Sequence, residues 1–72
     1  MKIAWKFLTD SDIECLIREY ALTETELKIL QLRRNGVSAE AIPFKINYQR
    51  TQAFVLTSRL AKKIVQMRQE RQ

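Results

Sequence analysis

Thr23-Glu24-Thr25-Glu26 constrains this chain more than any other four residues. A Thr three positions ahead of a Glu is a capping box, in which each side chain satisfies a free backbone N–H of the other at a helix start. Leu22 just before the cap and Leu27 four residues after it add a hydrophobic staple. The pattern predicts a helix from Thr23 to about Asn35, burying Leu27, Ile29, Leu30 and Leu32. Gly36 is placed to end it, because glycine enters the left-handed cap conformation without penalty. Gly36 and Pro43 are the only Gly and Pro in the chain. That leaves little material for tight turns and argues against an all-β fold.

The flanking segments read as further helices. Ile13, Leu16, Ile17 and Tyr20 recur at i, i+3, i+4, i+7, which predicts an amphipathic helix over roughly 10–20. Thr9 can cap it, and Asp10 and Asp12 suit the positive end of its dipole. Before it, Ile3, Trp5 and Phe7 alternate within residues 2–8, an extended pattern. Ser38 is the expected cap of a short helix over about 39–46, bent by Pro43 inside it. Asn47 suits a left-handed turn. A long helix is expected from about Gln49 to Gln69, with Ala53, Leu56, Leu60, Ile64 and Met67 along one face. At about 1.5 Å per residue it would span roughly 30 Å.

A chain of 72 residues holds one domain, residues 1–72, whose core is marginal because a fold this small buries only about 60% of its unfolded surface. With no His and one Cys, Cys15, the chain lacks the residues for a Cys/His zinc site, a His-based triad or a disulfide framework. Cys15 borders the apolar stripe of helix 10–20 and reads as a small buried hydrophobe. No apolar run approaches the roughly 18 residues of a membrane span, and the opening residues do not read as a signal peptide. No metal site, phosphate loop or activated nucleophile is visible. The expectation is a cytoplasmic, non-enzymatic helical domain with no cofactor.

Charge then points to a partner. Residues 1–49 carry seven Lys/Arg against seven Asp/Glu, and residues 50–72 carry six against Glu70 alone. The whole net charge of +5 lies in the last third of the chain, which favours a polyanion as partner. A short helix, a tight turn and a basic second helix follow the helix-turn-helix plan, in which the second helix enters the DNA major groove.

The residues of this stretch resemble the LuxR/GerE/FixJ-type helix-turn-helix. That family begins Leu-Thr-x-x-Glu and continues through Val-Leu-x-Leu, Gly-x-Ser and Ile-Ala-x-x-Leu to Thr-Val, ending Ile-x-x-Lys-Leu. Here the matching residues are Leu22-Thr23, Glu26, Ile29-Leu30, Leu32, Gly36, Ser38, Ile42, Ile46, Leu60 and Lys63-Ile64, without a gap over residues 22–64. The stretch is also similar to region four of bacterial sigma factors, where a helix before the Leu-Thr segment belongs to the domain. Arg33, Glu40, Arg59 and Lys62-Lys63 suit that version. The sequence departs from the LuxR-type pattern at Pro43, Gln49, Gln52-Ala53, Leu56 and at Phe54, a position commonly basic in that family. The resemblance implies an all-α domain with an extra N-terminal helix, a LuxR/sigma-like core over 22–64 and a basic helical tail over 65–72.

It also implies a DNA-binding transcriptional regulator of bacterial type, with the helix beginning near Gln49 as recognition helix. The partners implied are double-stranded DNA and a homodimer mate or partner regulator, with no membrane. The alternative is a protein-interaction module of the same fold docking on RNA polymerase or another regulator, and a non-specific RNA binder is a third reading. At 100° per residue, Arg50, Thr51, Phe54, Val55, Ser58 and Lys62 lie away from the Ala53/Leu56/Leu60 stripe and can face a groove; Gln49, Arg50, Thr51, Val55 and Ser58 are the base-facing candidates, with Gln52 a further partner for adenine. Ser38, Lys45, Arg59, Lys62 and Lys63 are the phosphate candidates. Phe54, Ala61 and Val65 form a second apolar stripe. It is expected to pack on helix 10–20 and the Trp5/Phe7 segment, the alternative being a dimer seam or docking face.

Overall fold

Thr23 opens a helix with both halves of its capping box formed. In the computed structural model the Thr23 N–H donates to Glu26 Oε1 at 3.1 Å and the Glu26 N–H donates to Thr23 Oγ1 at 3.1 Å. The structure describes residues 3–70, so Met1 and Lys2 of the N-terminal segment and Arg71 and Gln72 of the basic tail lie outside the described residues. Four α-helices follow a short 3-10 turn, Trp5–Phe7: α1, Asp10–Glu19; α2, Glu24–Arg34; α3, Ile42–Ile46; and α4, Arg50–Glu70. No strand occurs among the described residues. No helix among them is long and apolar enough to cross a membrane.

Helix α1 also starts with a capping box: the Thr9 N–H donates to Asp12 Oδ2 at 3.0 Å and the Asp12 N–H to Thr9 Oγ1 at 3.1 Å. Asp replaces the usual Glu or Gln at the third position, so the motif was legible only as a cap followed by acids. Helix α2 ends on Gly36, whose φ is 93°. The Gly36 N–H donates to the Arg33 carbonyl at 3.1 Å and the Val37 N–H to the Leu32 carbonyl at 3.0 Å, the two bonds of a Schellman motif.

Three expectations are corrected. Trp5–Phe7 are not extended but form a 3-10 turn: the Phe7 N–H bonds the Ala4 carbonyl and the Leu8 N–H bonds the Trp5 carbonyl. A spacing of three thus turns Trp5 and Leu8 inward and leaves Phe7 exposed. Ser38 does not cap the third helix, which begins at Ile42 with no side-chain cap; the Ser38 carbonyl instead accepts the Ala41 N–H in a turn. Pro43 therefore lies in the first turn of α3, where a missing N–H costs nothing, and it does not bend the helix. On α1 the apolar stripe narrows to Ile13 and Leu16, because Ile17 is exposed and Tyr20 half-buried.

The core joins Trp5 and Leu8, Ile13 and Leu16 of α1, Ile29 and Leu30 of α2, Ile42 and Ile46 of α3, and Ala53, Leu60, Ile64 and Met67 of α4. Leu32 and Leu56 are only half-buried at its edge. Helix α2 packs on the 3-10 turn, α3 and α4, while α1 and α3 also pack on α4. The 21 residues of α4 run about 31 Å at 1.5 Å each, close to the 34 Å length of the whole molecule. One end of α4 is held to α1, where the Tyr20 hydroxyl donates to the Glu70 carboxylate. That bond, with smaller contributions from burial and nearby negative charge, pushes the Tyr20 pKa up to about 12.

Two backbone positions test this account. Ala21 has a φ of 50°, a conformation costing an L-residue roughly 1–2 kcal/mol. Ala21→Gly is expected to raise unfolding free energy by about 0.5–1 kcal/mol, and Gly36→Ala to lower it by about 1–2 kcal/mol, both read by urea titration.

Candidate nucleic-acid interface

A three-residue turn, 47–49, aims the first turns of α4. Asn47 sits at φ 63°, and the Tyr48 N–H returns to the Pro43 carbonyl at 3.0 Å. The Gln49 carbonyl accepts the Ala53 N–H at 2.9 Å, so Gln49 flanks the helix and Arg50 is its first residue. Ala53 is the buried residue of the opening turns. Its small side chain lets that end of α4 approach the core while its neighbours point away.

Gln49, Arg50, Thr51, Gln52 and Val55 are exposed, and Ser58 is half-buried beside them. Among the phosphate candidates, Ser38, Lys45, Arg59 and Lys62 are exposed. The stretch from Ala41 to Gln69 contains no Asp or Glu. The ion pairs found among the described residues are Arg34–Asp10 at 2.9 Å and Lys63–Glu26 at 2.8 Å. Lys45, Arg50, Arg59 and Lys62 therefore stand at the surface without an ion-pair partner among the described residues. The first turn of α4 has no acidic residue to offset its positive dipole end, so Arg50 adds to that end.

Lys63 is a correction. It points inward, donating to Glu26 Oε1 at 2.8 Å and to the Ala21 carbonyl at 3.2 Å. One residue along a helix is 100° of rotation, which separates the exposed Lys62 from the tethered Lys63. Glu26 is the buried charged residue of this site, 2% exposed. Burial pushes its carboxyl up, but the Lys63 ammonium and the Thr23 N–H and hydroxyl outweigh that, holding it below the ordinary value of 4.5.

Phe54 is the second correction. It does not pack on α1 and the 3-10 turn but is 72% exposed. Ala61 and Val65, the rest of that stripe, are half-buried. Phe54 stands at the lip of a groove of about 300 Å³, whose walls include Trp5, Arg33, Ser58 and Ala61. Trp5, from the N-terminal turn, is the aromatic that enters the core, and the groove separates it from Phe54. Arg33 covers Trp5, its guanidinium carbon 5.4 Å from the ring centre, and donates to the Val37 carbonyl at 3.0 Å.

Sequence reasoning missed two exposed aromatics beside this surface, Phe44 and Tyr48. The signal for Phe44 was present: Ile42 and Ile46 face inward at a spacing of four, which turns residue 44 outward. Tyr48 reaches back to α2, its hydroxyl 3.5 Å from Thr25 Oγ1. Cys15, expected to be buried, is half-buried, and its thiol lies in hydrogen-bond reach of Glu19 Oε2 at 3.2 Å. No group of three His, Cys, Asp or Glu among the described residues is placed to hold a metal ion.

Comparisons of the chain with protein families, with curated proteins and with solved structures returned no match.

The Glu26–Lys63 pair has a pH signature. A carboxyl lowered by folding stabilises the protein above its unfolded pKa, near 4.5, and that stability is lost as pH falls through the lower folded value. Glu26→Gln should flatten this part of the acid limb in melting curves recorded as pH falls below about 4.5. Lys63→Ala, which leaves a buried carboxylate unpaired, should cost about 1–3 kcal/mol at pH 7, whereas the exposed Lys62→Ala should cost less than about 0.5 kcal/mol.

Proposed function

We propose that this protein is a DNA-binding transcriptional regulator that places the amino-terminal half of α4 in the major groove of duplex DNA. The observation that carries this reading is the run of exposed cations on a segment, α3 to the last turn of α4, that holds no acid of its own. Lys45, Arg50, Arg59 and Lys62 are exposed around Thr51, Phe54 and Val55, and no acid occurs from Ala41 to Gln69. Such a surface attracts a polyanion, and at low salt the release of counterions from the phosphates strengthens that attraction. The short α3, the turn over 47–49 and the longer α4 supply the helix-turn-helix order of elements.

In this reading Arg50 makes a bidentate contact to guanine, and Gln49 or Gln52 pairs with adenine. Thr51 and Ser58 bond bases or phosphate. Lys45, Arg59, Lys62 and Ser38 hold the backbone and set the register. Lys63 leaves the set because Glu26 occupies it. One module of this size reads a short site, so a homodimer or partner regulator completes the recognition.

A specific observation favours a second reading, a module that docks on RNA polymerase or another regulator. The groove between Trp5 and Phe54 is lined mainly by apolar side chains, and Phe44 is 82% exposed nearby in sequence. The two readings part on salt. With the exposed Lys45, Arg59 and Lys62 on phosphates, the slope of log K against log salt should be about −2.7. Lys62→Ala should weaken every sequence similarly and reduce the slope by about one, while Arg50→Ala should cost about 1–3 kcal/mol on the preferred site and relax specificity there. Lys63→Ala should leave the slope of the folded protein unchanged. No binding at low salt, or a flat salt dependence, would overturn the DNA reading in favour of docking.

A further inference from the structure

Helix α4 presents two parallel rows at one-turn spacing. One runs Arg50, Phe54, Ser58, and the other runs Thr51, Val55, Arg59. In each row an apolar side chain lies between two polar ones. Phe54 is 72% exposed and Val55 44% exposed, so the core uses neither fully. Their frame consists of arginines and hydroxyls, without a carboxylate. An apolar pair in such a frame fits an anionic partner that also offers apolar groups at short, regular intervals. The major groove offers one apolar group on its base edges, the C5 methyl of thymine. A carboxylate, the usual acceptor for the cytosine amino group, is missing from both rows.

Resting on the DNA reading, we infer that Phe54 and Val55 are specificity residues that contact thymine methyl groups. The preferred site then carries thymines to one side of the pair bonded by Arg50, because Phe54 and Val55 both lie about one turn further along α4. The phosphates meet Arg59 and Lys62, while Thr51 and Ser58, one on each side of the apolar pair along α4, bond polar edges beyond the methyl contacts.

The test uses the full chain and the duplex it selects from a random pool. Each thymine of that duplex is replaced by deoxyuridine, which removes the methyl and keeps the pairing edge and the phosphates. Wild-type binding should weaken about fourfold for each contacted methyl lost. Phe54→Ala and Val55→Ala should each weaken binding to the thymine duplex and lose part of the discrimination against deoxyuridine. The double substitution should bind the two duplexes equally. Because both side chains are exposed, melting curves should show these variants folded.

Equal wild-type affinity for the two duplexes, with the salt slope intact, would overturn the methyl contact and leave the DNA reading standing. Sensitivity to deoxyuridine that persists in the double variant would overturn the assignment to Phe54 and Val55. No DNA binding at low salt would overturn the methyl contact together with the DNA reading.

Discussion

Glu26 Oε1 is the atom at which the fold is tied together. It accepts the Thr23 N–H at the start of α2 and the Lys63 ammonium from the middle of α4. The same ammonium reaches the Ala21 carbonyl in the link from α1. Three segments thus meet at one buried carboxylate. A pair of this kind is weak evidence for net stability, because desolvation offsets much of its attraction. Its consequence here is orientation. With Lys63 turned inward, the 100° step of a helix turns Lys62 outward, and Thr51, Val55 and Ser58 share that outward side. The strained φ of Ala21 places a carbonyl within reach of Lys63, so the strain and the tether belong to one arrangement.

This arrangement also sorts the basic residues. In the N-terminal two-thirds, Arg34 is paired with Asp10 and Arg33 lies over Trp5 with a bond to the Val37 carbonyl. These cations serve the fold. In the stretch from Ala41 to Gln69 there is no acid to serve as partner, and Glu26, the acid that does reach α4, takes Lys63. Lys45 of α3 and Arg50, Arg59 and Lys62 of α4 stay at the surface. The same division places the aromatics: Trp5 enters the core, whereas Phe44 and Phe54 remain outside. A domain of this size has space for few large rings, and Trp5 with Leu8 already closes the end of the core beside α2.

Local chemistry made the helices legible. Thr9 and Thr23 are caps whose partners lie three residues away, and Gly36 and Asn47 are the left-handed ends of α2 and α3. Such signals act over a few residues and need no knowledge of the rest of the chain. The exposed Arg50, Thr51, Val55 and Lys62 were legible for the same reason, because the positions of Ala53, Leu60 and Ile64 define the opposite face. The N-terminal segment was not. Ile3, Trp5 and Phe7 fit an alternating pattern, and only packing against α2 turned residues 5–7 into a 3-10 turn. Ser38 likewise has the chemistry of a cap, but the turn at Ala39–Ala41 delays the helix until Pro43 can occupy its first turn.

The sequence by itself determined four helices, most of their ends, the residues that form the core stripe of α4 and the location of the surplus charge. Each depends on periodicity or on bonds within one turn. Tertiary structure decided which members of those patterns remain available at the surface. Lys62 and Lys63 are equivalent in sequence and differ because a carboxylate 37 residues away lies beside one of them. Phe54 is as apolar as its core neighbours and lies at the surface, on the groove whose other wall includes Trp5, 49 residues earlier. Both outcomes depend on contacts between residues far apart in the chain, and no local pattern encodes those.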